Sequence, residues 1–128
     1  MRNCNISLYK NISKVYTIRL QLKVELSAAE KVYSVVTAGA FAEDQWVTSY
    51  RLSYSLDVGG GDIQEFPVLN ATGGTVFSGN FDRHTAVANL FETPVSAENF
   101  FIYPLTSNNA VSLRWGLFKC DEGKTDAV

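Results

Sequence analysis

The side chains that most often do chemistry are few in this sequence and stand apart from one another. A single histidine, His84, lies within Asn80-Phe81-Asp82-Arg83-His84. Acid–base catalysis needs a partner held within hydrogen-bond reach, whereas Asp, Arg and a Gly79-Asn80 pair around a histidine describe a solvated loop. Glu43 and Asp44 are adjacent, so on extended backbone they point to opposite sides, which does not suit paired-carboxylate work. The chain contains no HExxH, CxxC or GxSxG motif. Gly59-Gly60-Gly61-Asp62 lacks the strand–glycine–helix context of a phosphate loop and reads as a hairpin. No catalytic residue, metal site or cofactor is expected.

Aromatic rings are the more promising currency. The chain carries two Trp, six Tyr and eight Phe. Core packing is the default for most of them. Phe41 and Trp46 instead frame the polar loop Ala40-Phe41-Ala42-Glu43-Asp44-Gln45. An apolar ring at a loop tip suits a membrane wedge, a sugar-stacking platform or a cap folded back over the end of a barrel.

Cys4 and Cys120 sit near opposite ends of the chain. They are either two unrelated thiols or an end-to-end disulfide, which in the loop-entropy model contributes roughly 4–5 kcal/mol. Asn5, Asn11 and Asn70 head Asn-x-Ser/Thr sequons, which are candidate N-glycosylation sites in a secreted protein. Gly73-Gly74 marks a loop just after Asn70.

At 128 residues, 46% hydrophobic and 19% charged, the chain fits one globular domain. Its formal charge is −2 with scattered Lys and Arg, which argues against nucleic acid and against purely electrostatic attraction to acidic lipid. No apolar run reaches the length of a membrane span, and Met1 to Asn5 shows no signal-peptide pattern.

The elements that must position these residues are strands. Ile18 to Leu26 alternates aliphatic even positions with polar odd ones, and the same rhythm recurs over Trp46–Leu56 and Val111–Leu117. Such period-2 alternation gives each strand one buried and one wet face. Shorter β-like runs cover Val32–Thr37, Thr75–Phe77, Thr85–Phe91 and Asn99–Tyr103, with turn formers between them. Only Ser27-Ala28-Ala29-Glu30 suggests helix, for one turn. The expected architecture is an all-β antiparallel sandwich or barrel. Residues 1–16 lack a clear period and read as an atypical tail, followed by a domain at 17–120 and a short tail at 121–128.

The segment Trp46-Val47-Thr48-Ser49-Tyr50-Arg51-Leu52-Ser53-Tyr54-Ser55-Leu56-Asp57 resembles the discoidin domain, the C-type domain of coagulation factors V and VIII. The likeness continues in family order. Val76-Phe77-Ser78-Gly79-Asn80-Phe81-Asp82 is similar to the VFxGNxD turn, and Pro94 to Ala97 with Ile102-Tyr103-Pro104 to the PxxAR…RIYP stretch. Val111 to Cys120 is similar to the closing ISLRxELxGC. Upstream, Leu22 to Leu26 resembles the LQVDL strand, and Val35 to Gly39 the VATQG strand end.

The resemblance covers about residues 20–120. It implies a jelly-roll-like, galactose-binding-domain-like barrel and a non-catalytic cell-adhesion module, extracellular or at the cell surface as part of a larger protein. Members bind glycans, matrix or cell-surface proteins, or phospholipid through loops at one end; lectin-like carbohydrate binding and phospholipid binding are the alternatives. The implied ligand loop is Ala40 to Gln45, with Thr106-Ser107-Asn108-Asn109 as a second. Structural calcium is compatible with the architecture but not indicated. Several departures stand out: Gln21 replaces an aromatic, Glu98 and Phe101 replace arginines, and Ala40 stands where some collagen-binding members carry Arg. Too few residues precede the LQVDL-like strand, so the first strands are expected to be missing, with an open edge. Ala40 to Gln45 contains no Lys or Arg, which disfavours lipid.

Overall fold

The computed structural model describes residues 3–15, 21–57 and 63–121, the first segment through its backbone alone. Seven strands account for most of it: β1 (Asn3–Val15), β2 (Leu22–Ala38), β3 (Trp46–Asp57), β4 (Ile63–Pro67), β5 (Val76–Ser78), β6 (Val87–Asn108) and β7 (Val111–Asp121). They form an antiparallel sheet in the order β1-β7-β2-β6-β3-β4, with β5 paired to the free stretch of β3 beside β4. No described helix is long and apolar enough to cross a membrane.

Alternation explains the central strands. Leu22, Val24 and Leu26 are buried while Gln21, Lys23 and Glu25 are exposed. Leu22 pairs with Ile102, which pairs with Leu52, so one row of apolar side chains crosses three strands. On β7, Leu113, Trp115 and Leu117 are fully buried, and β3 meets β7 across the core. The stacked pair Tyr50–Phe77, with ring centroids 5.3 Å apart, and the edge-on pair Phe77–Phe91 at 6.2 Å belong to the same buried cluster as Trp115. Burial of each large side chain contributes about 1.5–3 kcal/mol.

Several sequence expectations are revised. Ser27 to Glu30 does not form a helical turn. It lies within β2, at a register irregularity between Glu25 and Glu30 opposite Asn99 and Ala97. An extended bulge satisfies the same small residues that a helical turn would. The expected run Thr85–Phe91 is strand only from Val87, and with Asn99–Tyr103 it forms one long strand, β6, which bulges where Val32 and Ser34 face Val95 and Leu90. Pro94 falls inside that bulge, where no ladder donor is needed. Bulged twice, β2 and β6 carry the sheet around its own core.

Residues 1–16, read as a tail, contain β1, which pairs with β7 from Asn3↔Asp121 to Val15↔Val111. The segment therefore covers the β7 edge that a missing first strand would leave open. Register shifts interrupt that ladder between Ile6 and Leu8 and between Ser13 and Val15. The strand β4 escaped sequence reading, being five residues long and ending on Pro67. The expected hairpin at Gly59-Gly60-Gly61 joins β3 to β4, whose register begins at Asp57↔Ile63; the connection itself lies outside the described residues, as do Ile18 to Leu20 and residues 122–128.

Candidate ligand-binding loops

Where β2 ends, the chain makes a tight loop before entering β3. The Ala40 N–H donates to the Gln45 carbonyl at 3.0 Å, and the Gln45 N–H donates to the Glu43 carbonyl at 2.8 Å. Ala40 is buried; Ala42, Glu43 and Asp44 are exposed, and Gln45 is half-buried. Phe41 projects with 69% of its surface exposed. At Gly39 a β-carbon would lie 2.8 Å from the Arg83 Cα and 2.9 Å from the Gln45 carbonyl oxygen. Only glycine permits this approach, so the loop rests directly on the backbone of a second loop, residues 79–86.

That second loop is anchored at its start. The Gly79 and Asn80 N–H groups donate to the Thr48 and Val47 carbonyls, and the buried Asn80 Nδ2 donates to the Thr37 and Thr85 carbonyls at 2.9 and 3.0 Å. Phe81 then emerges, 67% exposed. Asp82 Oδ1 accepts from the Thr85 N–H at 2.7 Å and the His84 N–H at 3.0 Å, closing the turn. Arg83 Nη1 reaches across to Asp44 Oδ1 at 3.2 Å and to the Ala42 carbonyl at 3.4 Å.

A third loop, between β6 and β7, joins from the other side. Asn108 Nδ2 and Asn109 Nδ2 both donate to the Asp44 carbonyl, at 3.1 and 2.7 Å. Asn109 takes a left-handed conformation, φ 67°, which Asn tolerates better than most residues. Thr106 Oγ1 lies 2.5 Å from Thr48 Oγ1 and 2.6 Å from Ser49 Oγ, and Ser107 pairs with Val47.

Arg114 of β7 ties the assembly together from below. Its Nε donates to the Gly39 carbonyl at 2.6 Å and its Nη2 to the Arg83 carbonyl at 3.1 Å. Its guanidinium carbon sits 4.1 Å from the centroid of the Phe41 ring, within the range of a cation–π contact. One face of Phe41 is thus covered by a cation, which fixes the ring. Asp44 is the hub: its carboxylate holds Arg83 and its backbone carbonyl holds two asparagines.

The structure therefore joins Ala40–Gln45 with Thr106–Asn109 and adds residues that sequence reading left out. Phe81, Arg83 and Arg114 belong to the same end. Positions 40–45 hold no Lys or Arg, and two arginines reach that loop from far along the chain. Arg114 had a faint signal, since alternation turns it away from its buried neighbours Leu113 and Trp115. Arg83 had none. His84 is exposed, and among the described residues no three His, Cys, Asp or Glu side chains gather as metal ligands.

The carboxyl of Asp82 is held below the usual aspartate value, foremost by the Thr85 N–H, then by the Thr85 hydroxyl, the His84 N–H and the His84 charge. A depressed folded-state pKa stabilises the turn above the unfolded value, and that stabilisation is lost as pH falls through the folded one. The amide resonances of His84 and Thr85 are expected to titrate with a midpoint below the ordinary 3.8. A midpoint at or above 3.8 would show that Asp82 does not cap the turn.

The remaining candidates lie elsewhere. Asn70 organises the turn between β4 and β5: its Oδ1 accepts from the Thr72 N–H, the Thr72 hydroxyl and the Gly74 N–H, and its Nδ2 donates to the Val76 carbonyl at 2.7 Å. It is half-buried, and its amide is occupied in holding that turn. Cys4 and Cys120 face each other in the β1–β7 register. The side chains of Asn5, Asn11, Cys4 and Cys120 lie outside the described residues.

The family profile described as "F5/8 type C domain" matches residues 12–117. Discoidin-2 of Dictyostelium discoideum is 36% identical over 85 residues, covering 66% of this chain and 30% of that protein. Lactadherin of Bos taurus is 33% identical over 101 residues, covering 77% of this chain and 23% of the relative. The chain thus spans less than a third of either relative's length. Among solved structures, wild-type discoidin II of Dictyostelium discoideum superposes with a TM-score of 0.66 at 30% identity, covering 84% of this chain and 38% of that one. The family 32 carbohydrate-binding module from C. perfringens NanJ, solved with galactose, shares the fold at a TM-score of 0.55 and 18% identity, over 77% of this chain and 66% of the module.

Proposed function

The chain belongs to the F5/8 type C domain family, and on that premise we propose that it is a non-catalytic extracellular recognition module that binds a neutral saccharide of a cell-surface or matrix glycan at the end formed by residues 39–45, 79–86 and 105–110. The observation that carries this reading is the state of Phe41. Arg114 covers one face of the ring at 4.1 Å, while 69% of the residue remains open. A ring held from behind offers its outer face for stacking against the C–H face of a sugar without further loss of rotamer freedom. Around it stand Glu43, Asp44 and the Asn108–Asn109 pair, carboxylate and amide groups of the kind that hydrogen-bond sugar hydroxyls.

Charge favours a neutral ligand. Glu43, Asp44 and Asp82 face Arg83 and Arg114 at this end, and Arg83 is spent on Asp44. An anionic surface would meet no net positive field there. One observation supports a second reading, insertion into a lipid surface: Phe41 and Phe81 both project from neighbouring loops, as wedges into a bilayer interface would.

The test measures glycan-array and liposome binding side by side, with the chain produced in a secretory host. The saccharide reading expects array signal without retention on phosphatidylserine vesicles, and at least about a tenfold loss for Phe41→Ala. Vesicle binding lost in both Phe41→Ala and Phe81→Ala, with no array signal, would establish the lipid reading instead. Array binding unchanged by Phe41→Ala would remove Phe41 from the site.

A further inference from the structure

The saccharide reading leaves Phe81 without a role, although 67% of the residue is exposed. Its backbone is fixed on both sides. Before it, the buried Asn80 is tied to the Val47, Thr37 and Thr85 carbonyls. After it, Asp82 accepts from the His84 and Thr85 N–H groups. A ring carried on so firm a turn adds nothing to the core, and it can meet a ligand with little further loss of backbone freedom. Exposed apolar surface gathered at one end of a domain marks an interaction site.

Phe41 and Phe81 spring from loops that touch. At Gly39 a β-carbon would come within 2.8 Å of the Arg83 Cα. Phe41 stands two residues after that contact and Phe81 two residues before it. Two residues of extended chain span at most about 7 Å, so the Cα atoms of the two phenylalanines are no more than about 19 Å apart. Arg83 runs between the loops, its guanidinium crossing to Asp44 Oδ1 at 3.2 Å and to the Ala42 carbonyl at 3.4 Å. The Asp44 side chain it meets is 74% exposed. Two open rings are thus joined by a polar bridge that carries an accessible carboxylate. A sugar chain alternates in the same way, with C–H faces on its rings and hydroxyls around and between them.

Building on the saccharide reading, we propose that this end takes an oligosaccharide and not a single sugar: one unit stacks on Phe41, another on Phe81, and a hydroxyl between them donates to Asp44. Phe81 is then the residue that sets the length of the ligand. Once the first unit is seated, the second meets its ring as an intramolecular event, so affinity rises with chain length without any change at Phe41.

Isothermal titration of the full chain with galactose and with galactotetraose tests this, alongside Phe41→Ala, Phe81→Ala and Phe81→Tyr, each checked for an unchanged melting temperature. Galactotetraose is expected to bind at least about thirtyfold more tightly than galactose. In Phe81→Ala that ratio should fall to about fourfold or less, the statistical advantage of four like units. Phe81→Tyr should keep most of the ratio, because tyrosine presents the same flat face. Phe41→Ala should weaken both sugars by about tenfold. A native ratio of about fourfold or less, or a larger ratio that survives Phe81→Ala, overturns the role of Phe81 and leaves the Phe41 reading standing. Failure of both sugars to bind, or binding of both that ignores Phe41→Ala, overturns the saccharide reading and this inference with it. Should Phe81→Ala melt early, Phe81→Leu, which keeps the bulk but not the flat face, is read in its place.

Discussion

Trp115→Ala is expected to destabilise the domain by about 3–5 kcal/mol, a loss comparable with the whole stability of many domains this size. Trp115 is fully buried on β7, between Leu113 and Leu117, in the strand that pairs with both β1 and β2. Removing the indole leaves a cavity that the surrounding strands cannot close, because β7 is held on both sides. Its neighbour Arg114 supports Gly39, Arg83 and Phe41, so the loop end is expected to loosen together with the core. Trp115→Phe should cost much less. The indole Nε1 is buried and finds no acceptor among the described residues, so phenylalanine removes an unpaired donor while keeping most of the volume. Chemical denaturation of the two variants measures the difference; an equal cost for both would mean that ring volume does not decide stability here.

The second large effect concerns the two cysteines. Residues in direct register across an antiparallel pair have Cα separations of about 4.5–5.5 Å, within the span that a disulfide bridges. Cys4 and Cys120 are in that register, and a bond between them would close a loop of nearly the whole chain. Oxidised protein is therefore expected to be more stable than the Cys4→Ser, Cys120→Ser double variant by roughly 4–5 kcal/mol, a fall of about 10–20 °C in melting temperature. The loss should fall on β1, which among the described residues pairs with β7 alone. Thiol titration of the native protein, followed by thermal melts with and without reductant, reads this directly. Two reactive thiols in the oxidised chain and identical melts would contradict it.

Both effects bear on how far the amino-acid sequence discloses the molecule. Leu22 to Leu26, Trp46 to Leu56 and Val111 to Leu117 announced themselves because each strand buries one face and wets the other. β1 did not: its polar composition and two sequons made residues 1–16 look like a tail, and its pairing lies with β7 at the far end of the chain. Ser27 to Glu30 resembled a helical turn because small residues suit a bulge equally well. At the loop end, Phe41 and its polar neighbours were visible as a loop, and Asn108–Asn109 as a turn. Of the two arginines that shape that end, Arg83 was not, because it arrives through a backbone contact at Gly39, and Arg114 was only faintly so, coming from a strand of the far sequence. Non-local contacts of this kind leave no local period to read.

The shape of the loop end also explains why position 39 tolerates so little. A side chain at Gly39 would strike the Arg83 backbone and pry apart the two loops that carry Phe41 and Phe81. The rigid core and the exposed rings are thus one construction: strands fix Gly39, Asn80 and Arg114, and these fix the loops.

If the three converging loops form the ligand face, galactose perturbs their amides, and chemical-shift mapping during a galactose titration reads this out residue by residue. The predicted result is saturable shifts confined to residues 39–45, 79–86 and 105–110, lost in Phe41→Ala. Saturable shifts that fall on the strands or on the opposite end of the sheet, with those loops silent, would contradict it.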